Sequence, residues 1–152
     1  MIHVEGLLSE DLLGVVPKSI AHQFPEHLRP QDLAQFPLIL FEPAGRTRHI
    51  IDAWFKSEGI RPIPAMELGS IEAIKTLVGS GLGVSVVPRL AAEPGSRNVV
   101  YRPLTRPVQR ELCLAMRADK VLDAGVRALL GQLRAAAKAS RFDNKPSCRR
   151  SA

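Results

Sequence analysis

Between Pro37 and Pro88 the hydrophobic pattern keeps changing its period, and that alternation fixes the fold class. "PLILF" (37–41) is a short continuous apolar run, the pattern of a strand covered on both faces. The next segment carries Ile50, Ile51, Trp54 and Phe55 at helical spacing, with Gly59 as a C-terminal stop. "PIPAMEL" (62–68) is extended and, with Pro62 and Pro64, suits a sheet edge. "GSIEAIKTLVGSG" then places Ile71, Ile74, Leu77 and Val78 on one helical face, with Ser70 as N-cap and Glu72 in the first turn. "GVSVV" (83–87) is a β-branched strand stopped by Pro88. Strand, helix, strand, helix, strand predicts an α/β domain with parallel strands and right-handed crossovers.

Inside that run, "LVGSGLGVSVVP" (77–88) contains a Gly-x-Gly. A phosphate-binding glycine loop follows a strand and opens a helix, so that helix N–H groups face the anion. Gly81 and Gly83 stand the other way round: a helix precedes them and a strand follows. The helix end beside them is the electronegative one, so dinucleotide binding is rejected. A left-handed C-cap followed by a tight turn into the strand is expected instead.

On either side, "LLGVVP" (12–17) reads as a buried strand stopped by Pro17. The polar stretch 20–36 holds one short helix with Pro30 at its first position. "VVYRPL" (99–104) and "RELCLAMRA" (110–118) are strand-like. Asp119 is placed to cap a final helix with Leu122, Val126, Leu129, Leu130 and Leu133 on its face, where Gly125 costs about 1 kcal/mol relative to Ala.

The 152 residues suffice for one domain with a sizeable core. The net charge of +6 invites a nucleic-acid reading, but the charge sits at the end. Arg134, Lys138, Arg141, Lys145, Arg149 and Arg150 face only Asp143, so this tail supplies +5. A disordered, solvated basic tail is expected over 140–152. Seven aromatic residues are too few for a base-stacking platform. Cys113 and Cys148 have no metal or disulfide spacing, so Cys113 is expected as a small buried hydrophobe and Cys148 as a free tail thiol. His3, His22, His27 and His49 show no ligand spacing; no metal or cofactor is expected. No run reaches the length of a membrane span, and the N-terminus lacks the pattern of a secretory signal, which favours the cytoplasm.

Helix N-termini near Arg46-Thr47 and at Gly69-Ser70 both follow strands of one sheet. Both should open at its carboxyl edge, where open α/β sheets bind ligands. A carboxylate there would meet free N–H groups, a hydroxyl and two helix dipoles, and Arg46 adds a charge-assisted bond. Ser70 serves as a cap alone or as a cap that also touches ligand; Arg46 serves as a solvated loop charge or as a ligand contact. Glu42 and Glu67 also end strands, but no nucleophile, metal set or orienting group accompanies them, so they are expected as hydrogen-bonded or solvated loop carboxylates and no catalysis is expected.

The ordered set Pro37-Leu38-Ile39, Arg48, Asp52, Phe55, Gly59, Pro62, Glu67, Val78-Gly79-Ser80-Gly81-Leu82-Gly83 and Pro88 resembles the effector-binding domain of LysR-type transcriptional regulators. The resemblance covers about residues 7 to 135. It implies a periplasmic-binding-protein-like (type 2) α/β fold of two subdomains joined by crossover strands, with a small molecule in the cleft. On that pattern residues 1–17 are a first-subdomain remnant and crossover strand, and 18–98 a complete second subdomain. Residues 99–139 are the return crossover with a strand and C-terminal helix of the first subdomain. By position, Pro43, Gly45, Arg46, Thr47, Leu68, Gly69 and Ser70 match loops that face the family's ligand. The helix-turn-helix and linker helix of the family find no counterpart, so no residue here is expected to touch DNA. The family role implied is sensing of a small, anionic effector, with homo- or hetero-oligomers formed through exposed strand edges. The alternatives are a solute-binding protein of the same fold and a truncated regulator acting only by pairing with full-length subunits.

Overall fold

The structure, a computed structural model, describes residues 1–119 and 121–143. The chain forms two compact units: Asp11–Arg110, and Met1–Glu10 together with the chain from Glu111 onward. The division falls within two strands, β1 (Ile2–Pro17) and β6 (Gln109–Arg117).

The Asp11–Arg110 unit holds the alternating segment. Its elements are α1 (Pro30–Ala34), β2 (Leu38–Phe41), α2 (Arg46–Lys56), β3 (Pro64–Leu68), α3 (Ile71–Gly79), β4 (Ser85–Pro88) and β5 (Val99–Pro103). β2 and β3 are parallel, running from Leu38↔Pro64 to Phe41↔Leu68. A parallel bridge at Leu38↔Val84 joins the strand after α3 to the other flank of β2, so β3 is the outer strand, as its prolines predict. The three strands of the alternation are thus parallel where they pair, as expected, and β4 goes on to pair antiparallel with β1, from Leu12↔Pro88 to Val15↔Ser85. β5 takes the opposite flank of β1, from Leu13↔Pro103 to Pro17↔Val99.

Every residue of β2 is buried, as its unbroken apolar run requires. Ile51, Trp54 and Phe55 of α2 and Ile74 and Val78 of α3 complete the core. Each such side chain contributes about 1.5–3 kcal/mol of hydrophobic burial. Pro30 occupies the first turn of α1, where its missing N–H costs nothing.

The glycine pair terminates a helix. Gly81 has φ +80°, and its N–H bonds the Val78 carbonyl at 2.9 Å while the Leu82 N–H bonds the Leu77 carbonyl at 3.1 Å. Gly83 is a different case: a Cβ there would collide with the Pro37 carbonyl oxygen. Its bare backbone lets Val84 exchange bonds with Pro37 and Ile39, both at 2.9 Å.

In the other unit, β1 begins at Ile2, ten residues before the "LLGVVP" run, and pairs with β6. Ile2, His3, Val4 and Glu5 alternate apolar and polar, a strand period that the short apolar run overshadows. The final helix, α4 (Ala124–Asp143), is capped by Asp123, whose carboxylate accepts from the Val126 N–H at 2.8 Å. Asp119, expected as that cap, instead pairs with Arg117 at 2.6 Å. The inward face is Val126, Leu130, Leu133 and Ala137, and Leu129 is exposed, one position off the predicted stripe. Cys113 is exposed, because alternation along β6 buries Leu112 and Leu114 in part and turns Cys113 outward. Helix α4 continues through Asp143, so residues 140–143 are helical where a tail was expected. Residues 144–152, including Cys148, lie outside the described residues.

Two measurements check this reading. Gly83→Ala should lower stability by about 1–3 kcal/mol in urea denaturation, since overpacking against a backbone carbonyl cannot relax by a rotamer change. At α1, burial pushes the Asp32 carboxyl up, but bonds from the Arg29 side chain and backbone N–H outweigh it and hold the carboxyl below its ordinary value. The stability this supplies is present above the unfolded carboxylate pKa, near 3.9, and is lost as pH falls through the lower folded value. Asp32→Asn should therefore flatten the acid limb of the stability profile and cost about 1 kcal/mol at neutral pH.

Candidate functional site

Phe41 and Leu68 end adjacent parallel strands as register partners, so the chain leaves both strands at the same sheet edge. From Phe41 it turns through Glu42–Gly45, closed by a 3.2 Å bond from the Gly45 N–H to the Glu42 carbonyl, and enters α2 at Arg46. From Leu68 it passes Gly69 and the N-cap Ser70 into α3. The two turns touch: a Cβ on Gly69 would lie 3.3 Å from Glu42 Oε1. Pro43, Gly45, Arg46, Thr47, Leu68, Gly69 and Ser70 thus gather at the carboxyl edge of β2 and β3, with Thr47 and Leu68 half-buried and the rest exposed.

The two helix starts differ chemically. Ser70 Oγ accepts from the Ala73 N–H at 3.3 Å, which satisfies one N–H of the first turn of α3. Gly45 offers no side-chain acceptor to α2, and the first turn of α2 holds no acid. The α2 start therefore keeps the stronger demand for an external acceptor. Arg110, at the start of β6, reaches it and donates to Thr47 Oγ1 at 3.2 Å, leaving the Thr47 hydroxyl proton free to be donated onward. Nothing near Thr47 in the sequence signals this residue 63 positions away; the fold supplies it. Glu42 places a carboxylate beside the α3 start, so the two ends of the mouth carry opposite charge.

Beneath the mouth, Arg48 fixes the geometry. Its side chain is 8% exposed, and it donates to the Phe41 carbonyl at 2.6 Å, Glu67 Oε1 at 2.7 Å and Asp52 Oδ1 at 2.9 Å. These acceptors stand on β2, β3 and α2. Burial disfavours the charged guanidinium, but the bonds to Glu67 and Asp52 more than offset this and raise its pKa. Glu67 is thereby a hydrogen-bonded carboxylate, one of the two roles expected for it. Asp52 is more than a surface residue, while Trp54 belongs to the buried stripe as expected. Lys75 does similar work for α3, bonding Glu93 at 2.7 Å, Glu72 at 3.0 Å and the Ala91 carbonyl at 3.1 Å.

A groove of about 1070 Å³ runs along α2 from Arg48 and Asp52 past Lys56, Ile60 and Arg61 to Ile63 and Pro64. It contains none of the seven predicted residues. Among the described residues no helix is long and apolar enough to cross a membrane.

Comparison with known proteins agrees with this architecture. The family model described as the LysR substrate binding domain matches residues 2–138. The chain is 28% identical over 129 residues to the uncharacterized HTH-type transcriptional regulator YfeR of Shigella flexneri, covering 84% of this chain and 42% of YfeR. Among solved structures, the Synechocystis PCC6803 CcmR regulatory domain in complex with 2-PG superposes with a TM-score of 0.73 at 23% identity, covering 90% of this chain and 67% of that one. The effector-binding domain of QuiR in complex with shikimate gives 0.73 at 22% identity, covering 91% and 66%. The fold is therefore that of LysR effector domains, periplasmic-binding-protein-like of type 2. The chain belongs to the LysR substrate-binding-domain family, and it spans about two fifths of the curated relative's length.

Arg48→Met should cost about 2 kcal/mol in urea denaturation, below the roughly 3–5 kcal/mol of a fully buried broken pair. Asp52 and Glu67 are 40% and 38% exposed at their side chains, so water recovers part of the loss. Arg48→Lys should restore only a fraction, because one ammonium cannot span acceptors arranged for a planar fork.

Proposed function

We propose that this chain is the effector-binding part of a LysR-type transcriptional regulator, sensing a small anionic metabolite in the cytoplasm and catalysing no reaction. The observation that carries the reading is the Phe41↔Leu68 pairing, which brings the α2 and α3 starts to one mouth. The ligand's anionic group docks at α2, against its N–H groups, Arg46 and Arg110, while the Thr47 and Ser70 hydroxyls contact its polar atoms. CcmR and QuiR, crystallised with 2-PG and shikimate, support the reading by analogy of fold. In a regulator, such binding acts by favouring one of two arrangements of the protein, to the extent that the ligand's affinity differs between them. The residues here supply no DNA contact. The chain associates with copies of itself or with intact relatives through exposed strand edges, a reading supported by the large apolar side chains it leaves in solvent.

Calorimetric titration with small carboxylates and phosphates, 2-PG and shikimate among them, tests the site. Ser70→Ala should weaken a bound member of the panel by about 1 kcal/mol, about fivefold. Glu42→Gln should tighten an anion by removing the opposing charge. Affinity untouched by both substitutions excludes the mouth.

A further inference from the structure

Glu42 follows β2 and lays its carboxylate over the start of α3. Its Oε1, Cδ and Oε2 stand 3.3, 3.5 and 3.5 Å from the point where a Cβ on Gly69 would sit. Three nearly equal distances mean that the flat carboxylate lies face-on over the bare Gly69 backbone. The acceptor directions of a carboxylate lie in its own plane, so neither oxygen is aimed into the turn beneath. Among the described residues the Glu42 side chain takes part in no hydrogen bond or ion pair, and neither does that of Arg46, four residues on. The turn thus keeps an acid and a base side by side in sequence without joining them.

The α2 side of the mouth offers donors: the N–H groups of an uncapped first turn, the Arg46 guanidinium and the Thr47 hydroxyl proton. The α3 side offers the Glu42 acceptor. Adjacent strands lie about 4.8 Å apart, so donors and acceptor follow β2 and β3 within the span of one small molecule. We infer that the effector of this mouth is a hydroxylated carboxylic acid, its carboxylate on the α2 donors and a hydroxyl donating to Glu42, which makes Glu42 the specificity-determining residue. The inference rests on the binding reading proposed above and narrows its anion to one class. The field selects hydroxyl over ammonium. Arg46 and the N-termini of α2 and α3 make the mouth positive, which disfavours a cationic donor, whereas a neutral hydroxyl carries no such cost.

Titration calorimetry with malate, succinate and aspartate tests this, because the three share one diacid skeleton and differ in a single substituent: hydroxyl, hydrogen or ammonium. Shikimate against cyclohex-1-ene-1-carboxylate repeats the comparison on a ring. In each series that binds, the hydroxylated acid should be about tenfold tighter than its deoxy counterpart, and Glu42→Ala should cut that ratio to about twofold or less. Gly69→Ala, which sets a methyl group 3.3 Å from Oε1 and displaces the carboxylate, should lower the ratio with the charge still present. Arg46→Ala should weaken both members of a pair alike and keep the ratio. A carboxylate that serves only the α3 dipole leaves the ratio unmoved by Glu42→Ala. That result, with Arg46→Ala still weakening both acids, overturns the inference and leaves the mouth standing. Aspartate bound more tightly than malate overturns the hydroxyl class. If none of the five acids binds, or Arg46→Ala changes nothing, the mouth fails and the inference fails with it.

Discussion

The guanidinium of Arg48 holds together the carboxyl edge of β2 and β3, the proposed binding edge. One side chain bonds the last residue of β2, a carboxylate on β3 and a carboxylate one turn along its own helix. The Phe41 carbonyl is the buried partner, and an unpaired buried acceptor costs about 1–3 kcal/mol; Glu67 and Asp52 are partly solvated and add charge pairing. The arginine therefore both satisfies the edge and pins α2 across it. Because α2 is pinned by its third residue, its first turn is the least free to drift, and that turn carries Arg46 and Thr47. A ligand meeting those N–H groups finds them already in place, which lowers the ordering cost of binding.

The mouth above that anchor is asymmetric. The start of α2 gathers positive charge from Arg46, Arg110 and an uncapped helix dipole. The start of α3 is already served by its own Ser70 and has the Glu42 carboxylate beside Gly69. Such a pair of ends orients a ligand that is anionic on one side and hydroxylated on the other. The groove past Ile60 and Ile63 has neither helix start in its lining. Charge and backbone polarity are the grounds for proposing the mouth over the groove.

Much of this was legible in the residues. The alternating periods between Pro37 and Pro88 located β2, α2, β3, α3 and the strand after them, because both faces of each element are set by local spacing. The orientation of the glycine pair excluded a phosphate loop for a reason that the Gly81 bonds bear out. The misreadings share a cause. Asp119 and Asp123 are equally good caps by composition, and only the end of β6 decides between them. Cys113 was assigned to the interior by residue type, whereas strand phase turned it outward. Arg48 occupies the same helical stripe as Ile51 and Phe55, a charged residue on a core-facing position, and that was the available sign of a buried ion pair. Arg110 had no such sign, since its partnership with Thr47 exists only once β6 is laid beside β1.

The central claim is that two helix starts at the carboxyl edge of β2 and β3 form a single binding mouth. Amide chemical-shift mapping by nuclear magnetic resonance, during titration with 2-PG or shikimate, addresses it most directly. The account predicts saturable shifts grouped at Arg46, Thr47, Ser70 and Ile71, with little change at Ile60 to Ile63. Shifts confined to the Ile60–Ile63 groove, with the two helix starts silent, would contradict it.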